Sequence, residues 1–205
     1  MTQLSDQQID AIAQQVLGRL AGRAAGTTSA PAETDAFGRE VLGVFAEIDS
    51  AVAAANEAFK QLDKLPLSKR DAIIVNIRKR MLENAEMLAS EAHRETGLGR
   101  VADKIIKNRL VTNKTPGTEV LRAESQSGDR GLSLFERAPF GVIASITPTT
   151  NPTSTIICNT IGMVAAGNTV VFNVHPNAKN CSIKCVDLLN RAIMEAGGPV
   201  NTITT

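Results

Sequence analysis

The chain has 205 residues, enough for one ordinary domain or the front part of a larger one. Its 22 basic and 21 acidic side chains nearly cancel, so no large field attracts nucleic acid or an anionic membrane, and with no Trp, no Tyr and six Phe it has few platforms for stacking bases. No apolar run approaches the roughly 20 residues of a membrane span, the N-terminus lacks a secretory pattern, and Cys158, Cys181 and Cys185 form no secreted-type disulfide framework. These features predict a cytoplasmic protein.

In chain order, residues 4–20 have the spacing of an amphipathic helix. Ile9, Ile12, Ala13, Val16, Leu17 and Leu20 share one face, and Ser5 with Gln8 has capping-box spacing. Residues 23–36 are small, polar and Pro-containing, which predicts a flexible linker. The division is therefore a 1–22 helix, a 23–36 linker and a body over 37–205. A tethered apolar stripe docks on a surface outside its own core or folds back on the parent domain. An interfacial membrane helix fits less well, because Arg19 is the one basic residue on the polar face.

From Ile48 the pattern is helical for some sixty residues. Asp49-Ser50 is expected to cap a helix carrying Val52, Ala55, Phe59 and Leu62, which Pro66 ends. Ser68 with Asp71 is expected to open the next, with the stripe Ile73, Ile74, Ile77, Met81 and Leu82. Asn84 opens a third that runs to Gly97, and a fourth spans Arg100 to Asn113. The basic run Arg78–Arg80 reads as a solvated helix face. Residues 119–125 and 131–137 then alternate around a Gln126–Gly131 loop, as in a hairpin.

The apolar runs Phe140–Ile146 and Thr169–Phe172 read as strands buried on both faces, with a helix from Pro152 to Ala166 between them and Gly167-Asn168 as its stop. A second helix carries Ile183, Val186, Leu189, Ile193 and Met194. A third strand-like run, residues 200–204, follows Gly197-Gly198-Pro199. With right-handed crossovers this is a β-α-β-α-β unit, the mononucleotide half of a doubly wound fold. The expected fold class is thus α/β, with N-terminal helices and a β-hairpin leading into the first half of a Rossmann-like nucleotide-binding domain. Ile203's strand is expected to leave an open apolar edge and a marginally stable chain.

Ligands of such sheets bind beyond the C-terminal ends of the strands. Two loops lie there: Thr147-Pro148-Thr149-Thr150-Asn151-Pro152 and Asn173-Val174-His175-Pro176-Asn177-Ala178-Lys179. From local sequence Asn151 has two readings, a helix N-cap or an amide donor to a developing oxyanion. His175 is either a nucleotide contact or a turn residue before Pro176, and Lys179 either meets phosphate or is solvated. Cys158, Cys181 and Cys185 read as packed thiols, and two cysteines at i, i+4 make a poor zinc site, so no metal is expected.

The combination FGVIASITPTTNP, AAGNTVVF and HPNAK, with ETGLGRVADKIIKN and TPG upstream, resembles the aldehyde dehydrogenase superfamily over everything after Phe45. It is most similar to the CoA-acylating branch of bacterial microcompartments, which acts on acetaldehyde or propionaldehyde. The resemblance implies NAD and coenzyme A as cofactor and cosubstrate. It makes Asn151 the oxyanion donor and places Thr147, Pro148, Thr149, Asn173, His175 and Pro176 around the nucleotide. Many members have a lysine where Asn173 stands and a glutamate near Pro176, both holding the adenosine ribose; this chain has neither. Two threonines stand between Pro148 and Asn151, where most of the superfamily has one residue, and the CoA-acylating branch shares this form.

The resemblance further implies that residues 4–20 form an encapsulation helix for a shell or cargo protein inside a microcompartment. It also implies that the hairpin joins subunits of a homo-oligomer, although an ordinary edge hairpin has the same pattern. The family's nucleophilic cysteine lies in a separate catalytic domain beyond residue 205, so the chain alone is expected to be inactive. The alternative function is a non-catalytic assembly module.

Overall fold

The structure, a computed structural model, describes residues 41–205; the helix expected at 4–20 and the linker at 23–36 lie outside these residues. Helix α1 (Ile48–Leu62) begins one residue before the expected cap. Glu47 occupies the N-cap with extended backbone, and its carbonyl accepts from Ser50 and Ala51. Helix α2 (Leu67–Glu83) starts directly after Pro66, whose fixed φ suits that place. Asp71 caps nothing there and instead accepts from the Thr118 hydroxyl at 2.7 Å. Ile73, Ile74, Ile77 and Met81 are buried as their spacing predicts, while Leu82 is exposed.

Asn84 ends α2 and precedes α3 (Ala85–Thr96), but its amide turns back to the Arg80 carbonyl and caps neither helix start. Gly97 closes α3 at φ 68°, a left-handed position that glycine adopts without strain. Helix α4 (Val101–Lys114) buries a polar face: Lys104, Asn108 and Thr112. Arg78 departs from the expected solvated face. Its guanidinium reaches the Thr112 and Thr115 carbonyls at 2.6 and 2.7 Å, filling the acceptors that a helix end leaves unpaired.

A 3-10 turn, Thr118–Val120, takes up the start of the expected first hairpin strand. The hairpin itself is β1 (Glu124–Gly128) against β2 (Gly131–Phe135), antiparallel, with Gly128 opposite Gly131. The expected six-residue loop is therefore a two-residue turn, Asp129-Arg130, between the paired Gly128 and Gly131. Every residue of both strands is exposed.

The second sheet is parallel, in the order β3 (Val142–Ile146), β4 (Thr169–Asn173), β5 (Ile203–Thr204). Helix α5 (Pro152–Ala165) joins β3 to β4, and α6 (Lys179–Glu195) joins β4 to β5. The β-α-β-α-β unit is present as read from the sequence. Side chains of the middle strand alternate between two covered faces, so Thr169–Phe172 are all buried. Val171 packs with Ala51 and Ala55 of α1 on one face, while Val170 and Phe172 enter the main core with Ile156, Ile161, Val186 and Leu189 of α5 and α6 on the other. Small residues let α1 approach closely enough for Thr169 and Thr204 to donate to its Ala55 and Ala51 carbonyls.

Two expectations for the sheet fail. Strand β3 is not buried on both faces: it is an edge strand paired with β4 alone, and Phe140 and Ile146 are 95% and 79% exposed. The β5 edge, in contrast, is not an open apolar edge. Ile203 is fully buried, its carbonyl takes the Asn190 amide at 2.7 Å, and Thr205 exchanges backbone bonds with Gly43 and Phe45.

Candidate functional site

The site is built where β3 and β4 end. Thr147 continues β3, donates its N–H to the Asn173 carbonyl at 3.1 Å, and is 2% exposed. Its buried hydroxyl has no hydrogen-bond partner among the described residues. Pro148 is exposed and Thr149 half-buried on the loop that follows. Asn151 then stands at the N-cap of α5, with Pro152 in the first turn.

Position and role separate at Asn151. Its side chain makes no capping bond to the helix. Instead Oδ1 accepts from Lys107 Nζ at 2.8 Å, and Nδ2 has one long contact, 3.4 Å, to the Thr150 hydroxyl. One turn earlier on α4, Lys104 donates to the Thr150 carbonyl at 3.0 Å. Burial holds the Lys104 ammonium below the usual lysine value, and the neighbouring Lys107 charge adds to that. Sequence reading singled out neither lysine; the signal was their three-residue spacing within ETGLGRVADKIIKN, which places both on one side of a helix.

Two cavities flank these loops. One, of about 370 Å³, is walled by Lys107, Val111, Asn151, Thr155 and Cys158 among others. The second, of about 310 Å³, lies at the end of β4 and is walled by Phe45, Ile48, Asn173, Pro176 and Lys179 among others. The structure thus puts Asn151 in one hollow and Asn173 with Pro176 in the other. Thr147, Pro148, Thr149 and His175 line neither of the two. His175 Nδ1 accepts the Asn177 N–H at 3.1 Å and caps the short 3-10 turn Pro176–Ala178, the role of its turn reading.

Glu95 supplies the cap that α6 lacks locally. Its carboxylate accepts from the backbone of Asn180 and Cys181 at 2.8 and 2.7 Å and from the Asn180 amide at 3.0 Å. Burial pushes its pKa up, but these hydrogen bonds outweigh it and hold the carboxyl below its ordinary value. The thiols of α6 behave oppositely. Burial, with Glu95 alongside, raises Cys181 to about 12, and full burial raises Cys185 further. Among the described residues no group of three or more His, Cys, Asp or Glu is placed to hold a metal, and no helix is long and apolar enough to cross a membrane.

The sequence profile of the aldehyde dehydrogenase family matches residues 23–205. The chain belongs to the aldehyde dehydrogenase family. Within it, the chain is 52% identical over 162 residues to the acetylating acetaldehyde dehydrogenase of Bilophila wadsworthia, covering 79% of this chain and 33% of that one. It is 42% identical over 163 residues to the CoA-propanoylating propanal dehydrogenase of Salmonella typhimurium, covering 80% and 35%. Among solved structures it is similar to a propionaldehyde dehydrogenase from the Clostridium phytofermentans fucose utilisation bacterial microcompartment, at 54% identity and a TM-score of 0.77, covering 80% of this chain and 38% of that one. A Rhodopseudomonas palustris propionaldehyde dehydrogenase solved with bound CoA and an acylated cysteine matches at 47% identity and the same TM-score, covering 80% and 38%. The chain spans about a third of the length of the curated relatives it matches.

Proposed function

We propose that this chain is the nucleotide-binding N-terminal portion of a CoA-acylating aldehyde dehydrogenase, which converts a short aldehyde, NAD⁺ and CoA to acyl-CoA, NADH and a proton. In this reading Asn151 is the oxyanion donor. The observation that carries it is that Asn151 sits at the N-cap of α5 at the C-terminal edge of a parallel sheet, yet its side chain does not cap the helix. A neutral amide stabilises the alkoxide that forms when a nucleophile adds to the aldehyde, and it does so without titrating.

The nucleophile is assigned to a domain outside these residues. Cys181 and Cys185 are buried with thiols held protonated, which makes them poor nucleophiles. When bound, the dinucleotide supplies the hydride acceptor and CoA the acyl acceptor. The hollow at the end of β4 suits a nucleotide: Phe45, Ile48 and Pro176 offer apolar surface, Lys179 a cation for phosphate, and Asn173 amide hydrogen bonds. Asn173 in place of the ribose-binding lysine fits a pocket that admits NAD and CoA in turn.

The microcompartment relative supports a location inside such a compartment, with residues 4–20 as the helix that docks on shell or cargo. The hairpin supports self-association, since Leu132, Leu134 and Phe135 are exposed on it together. The test of the central assignment is Asn151→Ala and Asn151→Asp in the complete enzyme. An oxyanion donor predicts a fall in turnover of about 10²–10³ for both, with thermal stability nearly kept. A capping role predicts that Asn151→Asp, itself a good cap, stays almost fully active. Near-normal turnover in that variant sinks the assignment.

A further inference from the structure

Lys107 and Asn151 lie 44 positions apart and meet on one wall of the 370 Å³ cavity, ammonium to amide oxygen at 2.8 Å. An ammonium has donors and no acceptor, so this contact fixes which end of the carboxamide faces α4: Oδ1 toward Lys107, Nδ2 away from it. A carboxamide with its ends exchanged would present an acceptor to an oxyanion and repel it. The positive charge at Oδ1 also polarises the amide and strengthens its N–H as a donor.

The lysine is itself held in place by its helix. Lys104, one turn before, donates to the Thr150 carbonyl at 3.0 Å, and Asn108, the next residue, accepts from the Thr153 hydroxyl at 3.1 Å and donates to the Ala85 carbonyl at 3.2 Å. Three polar side chains of α4 thus engage residues 150, 151 and 153, the whole junction between the β3 loop and α5. Lys104 and Asn108 are buried and hold the Thr150 backbone on one side and the Thr153 side chain on the other. Lys107 is exposed, and its hydrogen bond among the described residues is to the amide. An exposed contact of this kind adds little stability, so its effect is expected in the rate and not in the fold.

We propose that Lys107 is a positioning residue: it holds the Asn151 amide in the one orientation that presents Nδ2 to the oxyanion. The proposal rests on the reading of Asn151 as that donor. Its test uses the complete enzyme turning over a short aldehyde with NAD⁺ and CoA, as wild type, Lys107→Met, Lys107→Arg, Asn151→Ala and the Lys107→Met/Asn151→Ala double variant.

The expected result is a roughly tenfold lower kcat in Lys107→Met, short of the ~10²–10³ for loss of the donor itself. KM for NAD⁺ and CoA and the thermal midpoint stay as in wild type. Lys107→Arg recovers most of the rate, because a guanidinium also donates to Oδ1. The double variant is no slower than Asn151→Ala, because a lysine that acts through Asn151 has nothing left to orient. Wild-type kcat in Lys107→Met with a large fall in Asn151→Ala overturns the role of Lys107 and leaves the oxyanion reading standing. A loss in the double variant equal to the product of the two single losses overturns it as well, since Lys107 then acts elsewhere. Near-normal turnover in Asn151→Ala overturns both.

Discussion

The side-chain oxygen of Asn168 accepts the Phe140 N–H at 2.6 Å, and that of Gly141 at 3.1 Å, from 28 and 27 positions away. The same side chain donates to the Met163 carbonyl, so one buried amide ties the end of α5 to the entry of β3. Asn168→Ala leaves two backbone donors without this acceptor and is expected to cost about 1–3 kcal/mol. Thermal unfolding checks it, with a drop of about 2–4 °C expected per kcal/mol in a chain of this size. Asn168→Asp keeps the acceptor and should fall between alanine and wild type. An unchanged midpoint in the alanine variant would show that water replaces the amide at no cost.

Gly43 sits at φ +78° against the β5 edge. A Cβ there would collide with the Asn190 amide and come within 2.5 Å of the Ile203 carbonyl, breaking the hydrogen bond between them. Gly43→Ala combines backbone strain of ~1–2 kcal/mol with loss of a buried hydrogen bond, so a loss of more than about 2 kcal/mol is expected. Denaturant unfolding measures it directly. A variant as stable as wild type would mean that the Gly43–Phe45 segment does not close the sheet edge.

Glu95 gives a stability that depends on pH. Its folded-state pKa is depressed, so its contribution is fully present above the unfolded glutamate value of about 4.3 and is lost as pH falls through the lower folded value. Glu95→Gln keeps the shape but weakens the cap on α6, with an expected loss of about 1 kcal/mol at neutral pH. Unfolding curves for the two proteins should converge at acid pH. A gap between them that stays constant down to pH 3 would exclude a charge-dependent cap.

The thiols of α6 give the opposite sign. Both are held neutral by burial, so their contribution is complete below the unfolded cysteine value of about 8.5 and erodes as pH climbs toward the Cys181 value of about 12. Titration of the folded chain with a small thiol reagent at pH 8 should modify Cys158, which is partly exposed, while Cys181 and Cys185 react on unfolding. Rapid modification of all three in the native state would contradict the burial of α6.

Hydrophobic periodicity and punctuation are local properties of the chain, and what depends on them was legible in the residues. The stripe Ile73, Ile74, Ile77 and Met81, the left-handed Gly97 and the strand–helix–strand order around Asn151 all follow from nearest neighbours along the sequence. So did the family, whose motifs are contiguous.

What remained hidden was which distant polar groups meet. Nothing near Glu95 in the sequence says that it caps a helix 85 positions later. Nothing near Lys107 says that it reaches an amide 44 positions on, since any of several lysines on α4 carries the same charge. Exposure was equally out of reach. A Val- and Ile-rich run shows that a strand tolerates burial, but neighbours decide whether it is covered. Strand β4 lies between α1 and the α5–α6 layer and is buried over Thr169–Phe172, while β3, also carrying Val and Ile, stands at an edge and is only partly covered.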